Sequence, residues 1–234
     1  MTAPILETHR GICVVRDDLF PGGTKARFIG RVFDGAAEAV YASPPEGGAQ
    51  TALATVARAL GRRATIFVAS RAKPHPRTLE AARLGAKIVP VAPGYLTVVQ
   101  ARAKAYCRDT GAVLIPFGAD VPGAAEAIAA AALATSEMPD EVWCAAGSGV
   151  LARGLALAWP KARRHVVQIG RELAPKDVAG ATIHVHPRKF GEKAVIAAAF
   201  PSDPHYDAKA WEVCLTKHGG GNVLFWNVAP LPRP

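Results

Sequence analysis

From one end of the chain to the other, short runs rich in β-branched residues alternate with alanine-rich stretches of helical period. That alternation restricts the possible architectures more than any single motif. The strand-like runs are "ICVV" (12–15), "AVYA" (39–42), "ATIFVA" (64–69), "KIVPVA" (87–92), "AVLIPF" (112–117), "EVWCAA" (141–146), "HVVQIG" (165–170), "TIHVHP" (182–187) and "VLFWNV" (223–228). Between them the pattern predicts helices over 24–38, 49–60, 76–84, 95–109, 123–136, 150–158, 192–199 and 206–217. Several strand runs are continuously apolar, as parallel strands covered on both faces require. Repeated β-α units imply right-handed crossovers and an α/β fold of open, mostly parallel, twisted sheets with helices on both faces.

In "EAARLGAKIVPV" a helix ends at Gly85 and a strand starts at once, the tight connection of a doubly wound sheet. No linker rich in Gly, Ser or Pro marks a clean boundary. The rhythm suggests two closely associated lobes: a smaller α/β lobe over 41–115, and a larger one built from 1–40 and 116–234. Ligands of such sheets bind at the carboxyl ends of strands, where the winding direction reverses.

Of the 234 residues, 50% are hydrophobic and 20% charged, enough for a substantial core and against global disorder. No apolar run approaches the roughly 20 residues that span a bilayer. The start "MTAPILETHRG" lacks the basic-then-apolar order of a secretory signal. A soluble, cytoplasmic protein without membrane contact is expected. The four cysteines are scattered without a C-x-x-C pair, which argues against a zinc ribbon or a disulfide framework. The net charge of +9 favours anionic partners, either small molecules or nucleic acid.

Two segments carry candidate chemistry. In "EVWCAAGSGVLARGL" a buried strand runs through Gly147-Ser148-Gly149 directly into a helix. Such a turn exposes consecutive N–H groups at a helix N-terminus and cradles a phosphate, although a ligand-free glycine turn reads the same way. The spacing matches neither the dinucleotide fingerprint nor a Walker loop. The second segment is "RDDLFPGGTKAR", where Lys25 follows Pro21-Gly22-Gly23-Thr24 at a loop-to-helix junction. A lysine used covalently must lose its proton part of the time, which a poorly hydrated site encourages. A phosphate cradle and an isolated lysine, with no nicotinamide motif, suggest pyridoxal 5'-phosphate.

"RDDLFPGGTKAR" resembles the lysine-bearing segment of the 1-aminocyclopropane-1-carboxylate deaminase / D-cysteine desulfhydrase family, fold-type II enzymes of the tryptophan-synthase-β type. The resemblance assigns the Schiff-base role to Lys25. "SPPEGGAQTALATVARALG" is similar to that family's S-N-Q helix start: Gln50 matches, while Gly48 and Ala49 replace the serine and asparagine. "AAGSGVLARGL" resembles the G-S-G-G-T phosphate loop, with Val150 and Leu151 where a glycine and a hydroxyl stand. The phosphate donors then become the backbone groups of Gly147, Ser148, Gly149, Val150 and Leu151. "SDPHYDAKAW" resembles D-P-x-Y-E-G-K-x-M, which makes Tyr206 a catalytic residue and puts Asp207 opposite the pyridine nitrogen. Asn227, at the end of "NVLFWNVA", takes the place of a cofactor-facing threonine.

The motifs keep one order along nearly the whole chain. They imply a lyase or deaminase that performs elimination, deamination or decarboxylation on an amino acid, as a homodimer. The chain resembles a shortened member, of the kind found in phage genomes. That version would act in a host cytoplasm on an amino-acyl-modified base during DNA hypermodification. A catalytically silent binder with the same fold is a third possibility.

His184 and His186 share a strand face but no acidic or cysteine cluster completes a site, so no metal is expected. Arg171, just past "HVVQIG", meets either a substrate carboxylate or a surface carboxylate.

Overall fold

In a computed structural model, which describes residues 2–92 and 94–232, the elements follow the expected rhythm. In chain order they are β1 (Leu6–His9), β2 (Ile12–Arg16), α1 (Ala26–Ile29), β3 (Glu38–Ser43), α2 (Ala49–Ala59), β4 (Arg63–Ala69), α3 (Pro76–Arg83), β5 (Lys87–Val91) and α4 (Leu96–Thr110). Then come β6 (Val113–Ile115), α5 (Ala124–Leu133), β7 (Glu141–Ala146), α6 (Val150–Ala158), β8 (Arg163–Gln168), β9 (Thr182–Val185), α7 (Asp207–Lys217) and β10 (Val223–Asn227).

The chain forms two compact units. They change over between Thr24 and Lys25 and between Val121 and Pro122, where the sequence rhythm alone suggested 40–41 and 115–116. The unit holding both ends of the fold carries a six-stranded sheet in the order β1-β2-β10-β7-β8-β9. Every pair in it is parallel except β1–β2. Trp143 and Ala145 of β7, Ile12 and Val14 of β2, Val223 and Phe225 of β10 and Val167 of β8 pack with Trp211 and Cys214 of α7 in one buried cluster. The alternate residues Val142, Cys144 and Ala146 are equally buried on the opposite face. A strand buried on both sides has no polar position to spare, which explains the unbroken apolar character of "VWCAA".

The other unit carries a four-stranded, wholly parallel sheet in the order β5-β4-β3-β6. Val40, Ala42, Phe67 and Val91 pack there against Val99 and Ala103 of α4. Its buried carboxylate Glu38 accepts hydrogen bonds from Thr65 (2.6 Å) and Tyr106 (2.9 Å) and is bound by Arg63. These partners outweigh burial and hold the carboxyl below its usual range.

Three local expectations change. Residues 24–38 form only the single turn α1 and a following 3₁₀ turn, because Asp34 is extended and Gly35 left-handed. The alanine-rich 192–199 stretch forms no helix. The Val195 and Ile196 amides donate to the Glu212 carboxylate and Ala194 donates to the Pro204 carbonyl, so an i→i−4 ladder has lost its donors. Strand β1, "LETH", was not expected, because an edge strand of alternating exposure lacks an apolar run.

Candidate functional site

Because its core strands are parallel, the six-stranded sheet gathers their carboxyl ends along one edge. Arg16, Asn227, Ala146 and Gln168 terminate β2, β10, β7 and β8 there. The glycine turn, Tyr206 and Asn227 lie along this edge.

The approach to Lys25 is anchored first. The Thr24 amide donates to the Val228 carbonyl (2.9 Å), one residue past β10. The Thr24 hydroxyl donates to Asp17 (2.6 Å) and accepts from Trp226 Nε1 (2.9 Å). Thr24, Asp17 and Trp226 are all buried. Gly23 is required because a Cβ there would lie 2.5 Å from the Val228 carbonyl oxygen, at φ +70°. This is why Pro-Gly-Gly-Thr precedes the lysine: the segment is sewn to the end of the central strand, and Lys25 is the next residue. Its carbonyl then opens α1 by accepting from Ile29 (3.0 Å).

The glycine turn lies directly beyond β7. Gly149 adopts φ +86° and starts α6, which has no side-chain N-cap. A Cβ on Gly149 would fall 2.0 Å from the Asp177 carbonyl oxygen, so the 174–178 turn is laid against the glycine with no room for a side chain. Ser148 is half-exposed, while Val150 is buried and Leu151 half-buried at the first two helical positions. An uncapped helix start behind a glycine turn leaves backbone N–H groups without intrahelical partners, the donor type an anion requires. The residues present therefore fit a coenzyme phosphate.

Tyr206 and Asp207 come to the same turn. The Tyr206 hydroxyl lies 3.3 Å from the point where a Gly147 Cβ would stand, so its ring is packed against the turn. Burial first, and the Asp207 carboxylate second, push this phenol well above its usual range, so it stays protonated as a donor. Asp207 is fully buried at the first position of α7, where the helix dipole favours a carboxylate. Burial and the same carboxylate also push the Cys144 thiol far up, leaving it an inert core group.

Asn227 is fully buried. Its Nδ2 donates to the Pro201 carbonyl (2.9 Å) and its Oδ1 accepts from Ser202 (3.0 Å), which leaves one N–H and one lone pair of the amide. Gln50, in the other unit, is also fully buried. Its Nε2 donates to the Pro45 (2.7 Å) and Pro44 (3.4 Å) carbonyls, and its Oε1 accepts from Thr78 (3.0 Å). There it fixes the 44–48 loop at the start of α2.

His184 does not pair with His186. It hydrogen-bonds His165 (3.1 Å), and both rings stack on Trp143. Among the described residues no group of three or more His, Cys, Asp or Glu side chains is arranged to hold a metal. No described helix is long and apolar enough to cross a membrane. Sequence reasoning did not find the turn-facing role of Asp177, since only the packed 171–178 segment reveals it.

A family model described as "pyridoxal-phosphate dependent enzyme" matches residues 3–223. The chain belongs to that family. No curated protein matches the sequence. Among solved structures, this pyridoxal-phosphate family member is similar to a 1-aminocyclopropane-1-carboxylate (ACC) deaminase homologue, with a TM-score of 0.77 at 17% identity over 94% of this chain and 85% of the other. It is also similar to diaminopropionate ammonia lyase from Escherichia coli, with a TM-score of 0.66 at 14% identity over 94% and 77%. A threonine deaminase from T.th. gives a TM-score of 0.65 at 17% identity over 99% and 93%. The fold is thus that of the fold-type II pyridoxal-phosphate enzymes, and the family's cofactor is pyridoxal phosphate.

Proposed function

We propose that this protein is a pyridoxal-phosphate-dependent lyase that removes the amino group of a small amino acid. The carrying observation is the convergence on one sheet edge of the uncapped glycine turn, the Tyr206 hydroxyl and buried Asp207. The family match across residues 3–223 supplies the coenzyme. Three structural neighbours named for deaminase or ammonia-lyase chemistry support the reaction class.

When bound, the coenzyme supplies an aldehyde that joins a primary amine and a ring that accepts an electron pair from the substrate's α-carbon. Lys25 would hold that aldehyde and, once displaced by the substrate amine, move a proton at the α-carbon. Backbone amides of the 147–151 turn would hold the phosphate. Asp207 would keep the pyridine nitrogen protonated by opposite charge. Tyr206, held in its neutral form, would donate a proton to the leaving side of the substrate. Asn227 would offer its remaining donor to the coenzyme, and Gln50 would act by fixing the 44–48 loop. Gly48 and Ala49 offer no side-chain hydroxyl at the start of α2, so substrate orientation would rest on the other groups.

The DNA-borne substrate rests on the resemblance to a shortened family member and on the +9 charge. That charge serves an anionic amino acid equally well, and the small-molecule reading stands. Borohydride reduction of the coenzyme-treated protein, followed by peptide mass spectrometry, is expected to find pyridoxyl on Lys25. Ammonia release should be lost in Lys25→Ala. Pyridoxyl on another lysine, or ammonia release that survives in Lys25→Ala, would refute the proposal.

A further inference from the structure

We infer that Arg171 is a cationic ligand for the coenzyme phosphate, adding a side-chain charge to a turn that otherwise offers mainly backbone donors. The inference rests on the pyridoxal-phosphate reading above and assigns one more residue to that site. Arg171 follows β8 by a short turn, closed by the Leu173 amide donating to the Gln168 side chain (2.8 Å). Its Nε donates to the Gly147 carbonyl (3.3 Å), which brings the guanidinium to the first residue of the glycine turn. Its NH2 pairs with the Asp177 carboxylate (3.2 Å), and that carboxylate also accepts from the Ala174 amide (3.0 Å). The Asp177 carbonyl oxygen is the atom that a Cβ on Gly149 would meet, at 2.0 Å, and Arg153 of α6 reaches it (3.4 Å).

The Arg171 and Arg153 guanidinium groups thus both reach the frame around Gly147–Gly149, where the phosphate would sit, beside the Asp177 carboxylate. Asp177 orients the Arg171 fork without consuming it: the side chain is still half-exposed, and a guanidinium has five N–H donors. Val150 and Leu151, which carry no side-chain donor, occupy the next two positions, so side-chain charge has to come from elsewhere.

The test compares affinities of the full chain for pyridoxal phosphate and for pyridoxal, which lacks the phosphate. Arg171→Gln is expected to weaken pyridoxal phosphate on the order of tenfold to a hundredfold while leaving pyridoxal nearly unchanged. Arg171→Lys should restore part of the discrimination. Independently of any variant, phenylglyoxal labelling of Arg171 in the wild type, read by peptide mass spectrometry, should be slowed by pyridoxal phosphate and by inorganic phosphate but not by pyridoxal. A folded Arg171→Gln protein with undiminished discrimination would overturn the inference, as would equal weakening of both ligands or unprotected labelling. So would intact discrimination combined with a raised KM for the amino acid, which would place a substrate carboxylate on Arg171. A wild type that takes up neither ligand removes the coenzyme reading itself, a distinct result.

Discussion

Gly149→Ala is the sharpest test of the glycine turn, because its cost divides into two parts that a second substitution separates. The left-handed backbone at φ +86° costs a side-chain-bearing residue about 1–2 kcal/mol. The added Cβ would stand 2.0 Å from the Asp177 carbonyl oxygen and 2.8 Å from its carbon, so the 174–178 turn must retreat by roughly 1 Å. Overpacking of that kind costs about 1–3 kcal/mol, for a total of about 2–5 kcal/mol. Gly180 is the control: it has φ +73° with nothing within 4 Å of the new Cβ, so Gly180→Ala should lose only the backbone part. Urea unfolding of the coenzyme-free proteins gives the two losses, and coenzyme titration should show weakened binding in Gly149→Ala alone. If the two variants are equally destabilised, Asp177 does not press on the turn and the packing argument is wrong.

Thr24→Val removes a hydroxyl that links Asp17 and Trp226 and leaves each of their polar groups with one partner fewer, so a loss of about 2–3 kcal/mol is expected in urea unfolding. A loss below about 0.5 kcal/mol would show that the anchor is dispensable. Tyr206→Phe should lower the rate of ammonia release without moving the alkaline limb of its pH profile, since burial keeps the phenol protonated throughout the working range. Burial lowers the pKa of both His165 and His184 from the ordinary value, so the folded state keeps them neutral where the unfolded chain already takes protons. Stability should be full above about pH 6.5 and fall as the pH drops below it. His165→Gln should flatten that fall in unfolding midpoints measured at several pH values.

The fold was legible where burial on both faces wrote itself into unbroken apolar runs, as in "EVWCAA" and "VLFWNV", because period and composition then agree. It was not legible where a side chain from a distant element decided the backbone. Glu212 captures the amides of Val195 and Ile196, and no local propensity of "AVIAAA" records that. The site divides along the same line. The glycine turn and the Pro-Gly-Gly-Thr-Lys run are local and could be read as motifs, whereas the anchoring of Thr24 to Trp226 and Val228 could not. The seating of Tyr206 on Gly147, the frame built by Arg171 and Asp177, and the use of the Gln50 amide on Pro44, Pro45 and Thr78 all depend on chain segments far apart in sequence.

The place of β10 has a consequence for biosynthesis. Strand β10, which follows all the other strands described, is an inner one inserted between β2 and β7, and Trp226 and Val228 supply partners for Thr24. The strands of the four-stranded sheet all lie within residues 38–115 and can assemble while translation continues. The six-stranded sheet instead waits with β1–β2 on one side and β7–β8–β9 on the other until residues 223–227 emerge. A nascent chain halted before that point has no seam to join its two halves, and a ribosome-stalled series should acquire protease resistance in two separate steps.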